Sequence, residues 1–285
     1  MKLPKFEDKH PKHTAEGYAA TNEEPEAHRK LISGKRFKRA ASIASGGEIP
    51  YCVLLSRSDE VVAVDHSYRA IIMCYLKAVL LNTLGPRGMK ALFVESSYET
   101  VKAALLEAAK LMPQVLQDKV NWAEKQLYYD YYSESANRRY SVLSTSDIKH
   151  LRREAHFTPL ATLEAVVKRL DQVTLVHGDL SDLKLYGGNF DILYASSAMG
   201  HTNRDKKHPT FSQLEELVKP DGYILMTTGY GTKTDPKLPT TLKEIKRISG
   251  LRSDWDHVLL QKAVKNEPAK ETTQAEAQAS ASASA

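Results

Sequence analysis

The chain has 285 residues, with 40 Lys and Arg against 35 Asp and Glu, a formal charge of +5, and 42% hydrophobic residues. That balance excludes a wholly disordered chain, and 14 Gly with 12 Pro exclude a collagen-like or elastic repeat. No apolar run approaches the roughly 20 residues of a membrane span, and the small positive charge permits phosphate or anionic-lipid contact without demanding it.

In chain order, residues 1–22 are polar, carry Pro4 and Pro11, and read as a flexible N-terminal arm. Arg39–Ala44 is a short apolar strand that breaks at Ser45-Gly46-Gly47. Ile49–Leu55 reads as a helix, with Pro50 tolerated in its first turn. Glu60–Val64 is rich in β-branched residues and reads as a buried strand. Tyr68–Leu84 is a long buried helix stopped by Gly85-Pro86, with Asn82 interrupting one position of its apolar pattern. From Pro86 to Leu170 the pattern is helical: Glu99–Leu111, Leu116–Tyr132, Ser146–Ala155 and Pro159–Leu170. Val173–His177, Phe190–Ala195, Tyr223–Thr228 and Val258–Lys262 are further strands, with a short helix at Phe211–Val218. After about Asn266 the chain drifts into alternating Ala and Ser and has nothing to bury.

Strands alternating with helices predict an α/β fold with a doubly wound, mostly parallel sheet covered on both faces. The expected organisation is an arm (1–22), a first half of a ligand-binding domain (23–85), a helical insertion (86–170) over one end of the sheet, a second half (171–263) and a disordered tail (264–285). Cys52 and Cys74 lie in apolar helical patterns and read as buried free thiols. With no signal-peptide core at the N-terminus, the expected compartment is reducing and cytoplasmic.

The sharpest local feature is Ser45-Gly46-Gly47 between a strand and a helix. Such a turn needs residues that accept φ > 0 and leave room for a ligand at the helix N-terminus. Asp65 ends the next strand, 19 residues after Gly46, near the ~20 expected of an acid that binds ribose hydroxyls. His177-Gly178-Asp179-Leu180 follows the third strand, and Leu217–Leu225 contains a Lys-Pro-Asp-Gly turn before another strand. Together they indicate a nucleoside-type ligand. The competing reading is a tight turn at the glycines and a helix-capping acid at Asp65.

This order of parts resembles the class I S-adenosylmethionine-dependent methyltransferases. Within that superfamily Glu23–Leu31, Ser42–Gly47, Val61–Asp65 and the helix through Leu76-Lys77-Ala78 are similar to the S-adenosylmethionine:diacylglycerol aminocarboxypropyl transferases of betaine-lipid synthesis. His66 stands where that family usually has Asn. The resemblance implies S-adenosylmethionine as cofactor. It places the methionine part at Ser45, Gly46 and Gly47, the ribose at Asp65, and the adenine near Asp179 and Leu180, Asp179 being otherwise a plain turn acid. His66 could touch the ribose or be a surface histidine, and Ser196, after the fourth strand, is a further cofactor-binding candidate outside the matched motifs. The resemblance implies transfer of the aminocarboxypropyl group to a lipid or small-molecule acceptor. Methyl transfer is the alternative, and a non-catalytic binding module a further one.

An alcohol acceptor would benefit from a base, and His201, after the fourth strand, is the candidate. Five of the 14 tyrosines fall between Tyr128 and Tyr140. Tyr129 and Tyr132 are candidates for the acceptor pocket, and Arg138-Arg139 could meet a carboxylate or phosphate. Alternatively these tyrosines simply pack the insertion. Lys35–Arg39 is basic and reads as a solvated edge or a contact for anionic lipid or nucleic acid. No zinc constellation, Walker loop or nucleophile elbow is visible, and His10, His13 and His28 stand in or near the arm without metal-ligating company. No metal and no nucleic-acid partner are expected; peripheral contact with a membrane is left open.

Overall fold

The computed structural model describes residues 1–9, 25–45, 48–54, 58–120, 149, 151–152, 155, 158–196, 210–228, 238–249 and 256–263. Eight strands form one sheet in the order β1-β4-β3-β2-β5-β6-β8-β7. They are β1 (Lys5–Asp8), β2 (Arg39–Ile43), β3 (Glu60–Asp65), β4 (Val173–His177), β5 (Phe190–Ser196), β6 (Val218–Thr228), β7 (Leu242–Ser249) and β8 (Asp256–Lys262). β1 to β6 are parallel. β8 runs antiparallel between β6 and β7.

The doubly wound α/β fold read from the sequence is therefore present. Helices α1 (Pro25–Leu31), α2 (Glu48–Leu54), α3 (Tyr68–Thr83), α4 (Gly85–Glu95), α5 (Tyr98–Ala109) and α6 (Leu160–Val167) share one core with one face of the sheet. Helix α7 (Phe211–Leu217) and the 3-10 turn Leu180–Tyr186 cover the other. From β2 the chain winds outward through β3 to β4; from β5 it winds the opposite way through β6. The switch point thus lies between β2 and β5, and the crevice outside their carboxyl ends is where such sheets bind ligands.

Helix α3 is buried from Tyr68 to Leu81, Arg69 and Lys77 included. A helix apolar all round belongs inside a core rather than on a surface. Gly85 and Pro86 do end α3, but α4 begins at once, with Pro86 in its first turn where a missing N–H costs nothing. The helices α4, α5 and α6, and the helical residues 114–120, extend the same core; the rest of Leu116–Tyr132 and most of Ser146–Ala155 lie outside the described residues.

One expectation differs from the structure, and one strand goes unannounced. Lys5–Asp8 is not a loose arm but the edge strand β1, paired along its length with β4. Its neighbour Lys2 is held too: Asn82 Nδ2 donates to the Lys2 carbonyl at 2.7 Å, and Lys2 Nζ to the Lys168 carbonyl at 2.9 Å. Four residues without a hydrophobic run cannot announce a strand; the open edge of β4 makes it one. β7 is likewise a strand that the sequence does not announce, because its side chains are mostly exposed and show no clean alternation. Among the described residues no helix is long and apolar enough to cross a membrane.

Candidate functional site

At the carboxyl end of β2 the ladder runs one residue further, with Ala44 N donating to the Val64 carbonyl at 2.9 Å. Ser45 then turns with φ of 42°. That left-handed conformation is unfavourable for a residue with a Cβ and marks a turn held by its surroundings. What holds it is Asp65. The Ser45 amide donates to Asp65 Oδ2 at 3.2 Å, and the Ser67 amide to Asp65 Oδ1 at 3.0 Å. Gly46 and Gly47 lie outside the described residues; among the described ones, the positive φ of this loop falls on Ser45.

Asp65 thus ties the end of β2 to the start of α3, where Ser67 caps the helix through its hydroxyl, accepting from Ala70 N at 3.4 Å. Its carboxyl group is only 9% exposed. Burial pushes its pKa up, opposed by His66, by the two amides and by His177. The His66 ring is two-thirds exposed, with Nδ1 3.7 Å from Asp65 Oδ1. Each carboxylate oxygen keeps a second lone pair beyond the one its amide uses, so hydroxyl donors from a ligand fit this acid.

The neighbouring strand brings the adenine candidates alongside. Asp65 and His177 are register partners, and Gly178 N donates to the Asp65 carbonyl at 2.9 Å. Asp179 is exposed and its amide donates to Asp182 Oδ2 at 2.7 Å; Leu180, half-buried, opens the 3-10 turn. Ser196 is the last residue of β5, in register with Met226. Ser45, Asp65, His66, Asp179, Leu180 and Ser196 therefore occupy the carboxyl ends of β2, β3, β4 and β5. Tyr129, Tyr132 and His201 lie outside the described residues, as do Arg138 and Arg139.

A second group carries no sequence signal. His28 is on α1, not in a loose segment, and is 2% exposed. Its Nε2 lies 2.8 Å from His257 Nδ1 and 3.4 Å from the Tyr194 hydroxyl, and Thr227 Oγ1 is 3.3 Å from His257 Nδ1. Ser42, the register partner of Tyr194, adds another buried hydroxyl. Burial, reinforced by the field of His257, holds the His28 pKa well below the ordinary value. Among the described residues, Ser42 Oγ and His28 Nδ1 have no hydrogen-bond partner. A buried polar layer thus runs across β2, β5, β6 and β8 beneath α1. The residues come from five elements, so no local pattern could have disclosed it. Cys74 is buried, with Sγ 3.6 Å from the Ala44 carbonyl.

The basic cluster at Lys35–Arg39 sits at the opposite, amino edge; Arg36 and Lys38 are exposed, whereas Arg39 and Lys35 have partners in the fold. Arg39 bonds Glu60 at 2.7 Å and the carbonyls of Gly188 and Tyr186 at 2.9 and 2.6 Å. Lys35 Nζ lies 4.2 Å from the Tyr223 ring centroid.

No family model matches the chain, and no curated protein matches it. Solved structures do. A conserved hypothetical protein of Streptococcus pyogenes is 10% identical, covering 84% of this chain and 95% of its own, with a TM-score of 0.42. The N-methyltransferase NodS of Bradyrhizobium japonicum is 9% identical, with 84% and 93% covered and a TM-score of 0.37. The ribosomal protein L11 methylase of Lactobacillus delbrueckii subsp. bulgaricus is 10% identical, with 84% and 76% covered and a TM-score of 0.36.

Proposed function

We propose that the chain is a transferase that uses S-adenosylmethionine, bound across the carboxyl ends of β2, β3 and β4. The observation that carries this reading is Asp65: a buried acid at the end of β3, beside the switch point, that accepts two loop amides and has lone pairs left for ribose hydroxyls. Asp179 and Leu180 would flank the adenine, and the turn at Ser45-Gly46-Gly47 would receive the methionine part.

Bound there, the sulfonium supplies an electrophilic carbon. Attack on the methyl carbon forms the acceptor–carbon bond, breaks the S–CH3 bond with its electron pair returning to sulfur, and leaves S-adenosylhomocysteine. Attack on the γ-carbon moves the aminocarboxypropyl group and leaves methylthioadenosine. In both the residues of the chain chiefly align two partners, and the acceptor proton passes to a base or to solvent. We place methyl transfer first; both reactions use the same switch-point site, and the spent cofactor distinguishes them. Aminocarboxypropyl transfer is the second reading, favoured by the likeness of Ser42–Gly47, Val61–Asp65 and Leu76-Lys77-Ala78 to the betaine-lipid enzymes. On either reading His201 is the candidate base, Tyr129 and Tyr132 candidates for the acceptor pocket, and the acceptor a small molecule or a lipid.

Mass spectrometry of the spent cofactor tests this. S-adenosylhomocysteine is the expected product, methylthioadenosine would establish the second reading, and a chain that neither binds nor consumes the cofactor would refute both.

A further inference from the structure

Three residues in register, Asp8, His177 and Asp65, cross the carboxyl ends of β1, β4 and β3. The middle one is fully buried. His177 Nδ1 lies 2.9 Å from Asp8 Oδ1, and its Nε2 lies 3.1 Å from the His66 carbonyl oxygen. A carboxylate and a backbone carbonyl are both acceptors, while a neutral imidazole has a single N–H. Only the imidazolium donates to both at once. The Tyr68 ring stacks on His177 with centroids 3.6 Å apart, and its hydroxyl donates to the other oxygen of Asp8. Burial, then the Asp8 carboxylate, pushes the Tyr68 hydroxyl up, so it remains a donor.

We infer that Asp8 is a positioning residue for the cofactor's nucleoside end: it holds His177 as an imidazolium, whose second N–H clamps the His66 carbonyl and so sets the turn that carries Asp65. The inference rests on the proposed cofactor reading. It gives β1 a role beyond covering the edge of β4, since its last side chain reaches the ribose-binding turn through one imidazole. Among the described residues, the charged and titratable groups around His177 include Asp8 and Lys9 at the end of β1, Asp65 and His66 at the end of β3, and Tyr68 on α3, with Lys119 Nζ 4.4 Å from the Tyr68 ring centroid. When His177 loses a proton, one of its two acceptors faces a lone pair and the turn loosens. Cofactor affinity is then expected to fall as pH rises through the titration of His177.

The test is calorimetry of S-adenosylhomocysteine binding to the full chain from pH 6 to pH 9, with Asp8→Asn and, as a control, Glu7→Gln. Glu7 also ties β1 down, accepting from the Tyr186 hydroxyl at 2.7 Å, and as the neighbour of Asp8 along the strand it points to the opposite face of the sheet. Asp8→Asn should bind about ten-fold more weakly at neutral pH, a charge-assisted bond's worth, with its alkaline decline moved to lower pH. Glu7→Gln should stay within about two-fold of the parent. Asp8→Asn binding like the parent at every pH overturns the inference, as does equal weakening in both variants, which would mean only that β1 holds the edge. Should Asp8→Asn not fold, nitrogen NMR of the parent decides: both ring nitrogens of His177 should be protonated at pH 7, and a neutral tautomer overturns the inference. A parent chain with no affinity at any pH defeats the cofactor reading and this inference with it, whatever the NMR shows of His177.

Discussion

Two aspartates of the sheet each accept a pair of backbone amides, yet they are held in opposite ways. At the amino edge, Asp191 Oδ2 accepts from Lys38 N at 2.6 Å and Arg39 N at 2.8 Å, while Oδ1 meets Lys219 Nζ at 2.6 Å. Burial pushes Asp191 up, but the Lys219 bond and the two amides outweigh it and hold the acid below its ordinary range. At the carboxyl edge, Asp65 has amides at 3.2 and 3.0 Å and, in place of a lysine, the exposed His66 ring at 3.7 Å. There burial wins, and the acid is raised. Asp191 has a lysine cation at its second oxygen; Asp65, the proposed ribose ligand, has none among the described residues and keeps lone pairs for further donors.

The sharpest way to break this contrast is to delete each acid in turn. Asp191→Ala leaves two amides without their acceptor, while the half-exposed Lys219 ammonium returns to water, and should lower unfolding free energy by about 1–3 kcal/mol in urea titrations. Cofactor affinity of the folded fraction should be unchanged. Asp65→Ala should do the reverse. The loss of charge-assisted bonds worth roughly 1.5–3 kcal/mol weakens cofactor binding by about ten-fold or more, while stability falls less than for Asp191→Ala. Affinity within two-fold of the parent, in isothermal calorimetry, would remove Asp65 from the site.

Gly222 sharpens the amino-edge half. A Cβ there would lie 2.9 Å from the Lys219 carbonyl oxygen and 3.1 Å from that of Phe190. Both obstacles are backbone, and Asp221 beside it already has φ of 60°. Gly222→Ala should therefore cost about 1–3 kcal/mol of stability, read as a lower urea midpoint, with no change in cofactor affinity.

The smallest effect expected is a pH dependence at the carboxyl edge. His28 has a lowered pKa in the folded state, so below the unfolded value of about 6.5 the unfolded chain binds the extra proton. Stability should be level above that pH and decline beneath it. Asp191, lowered instead, loses its contribution only as pH falls below about 4. Denaturation at pH 7.5 and 5.5 should show a decline that His28→Gln reduces and Asp191→Ala does not; an identical decline in His28→Gln would assign it elsewhere.

Much of the scaffold was legible because burial leaves a local mark. Runs such as Glu60–Asp65 and Val173–His177 are central strands covered on both faces, and such strands are continuously apolar. The site acid was legible for a similar reason: Asp65 follows such a run directly, and a strand's carboxyl end is where this topology exposes polar groups. His177 was visible only as part of a His-Gly-Asp motif, with no role attached.

What the sequence by itself determined, then, is what depends on near neighbours: the alternation of strand and helix, the buried length of α3, and an acid at the end of β3. Tertiary structure alone decided the rest. Lys5–Asp8 is a strand only because β4 offers an unpaired edge. The left-handed φ falls on Ser45 because its amide is drawn to Asp65. Asp8 and His177 meet across 169 residues, and His28 and His257 across 229. Such pairs are set by which strands lie side by side and which helix covers them, and a one-dimensional pattern holds no trace of that adjacency.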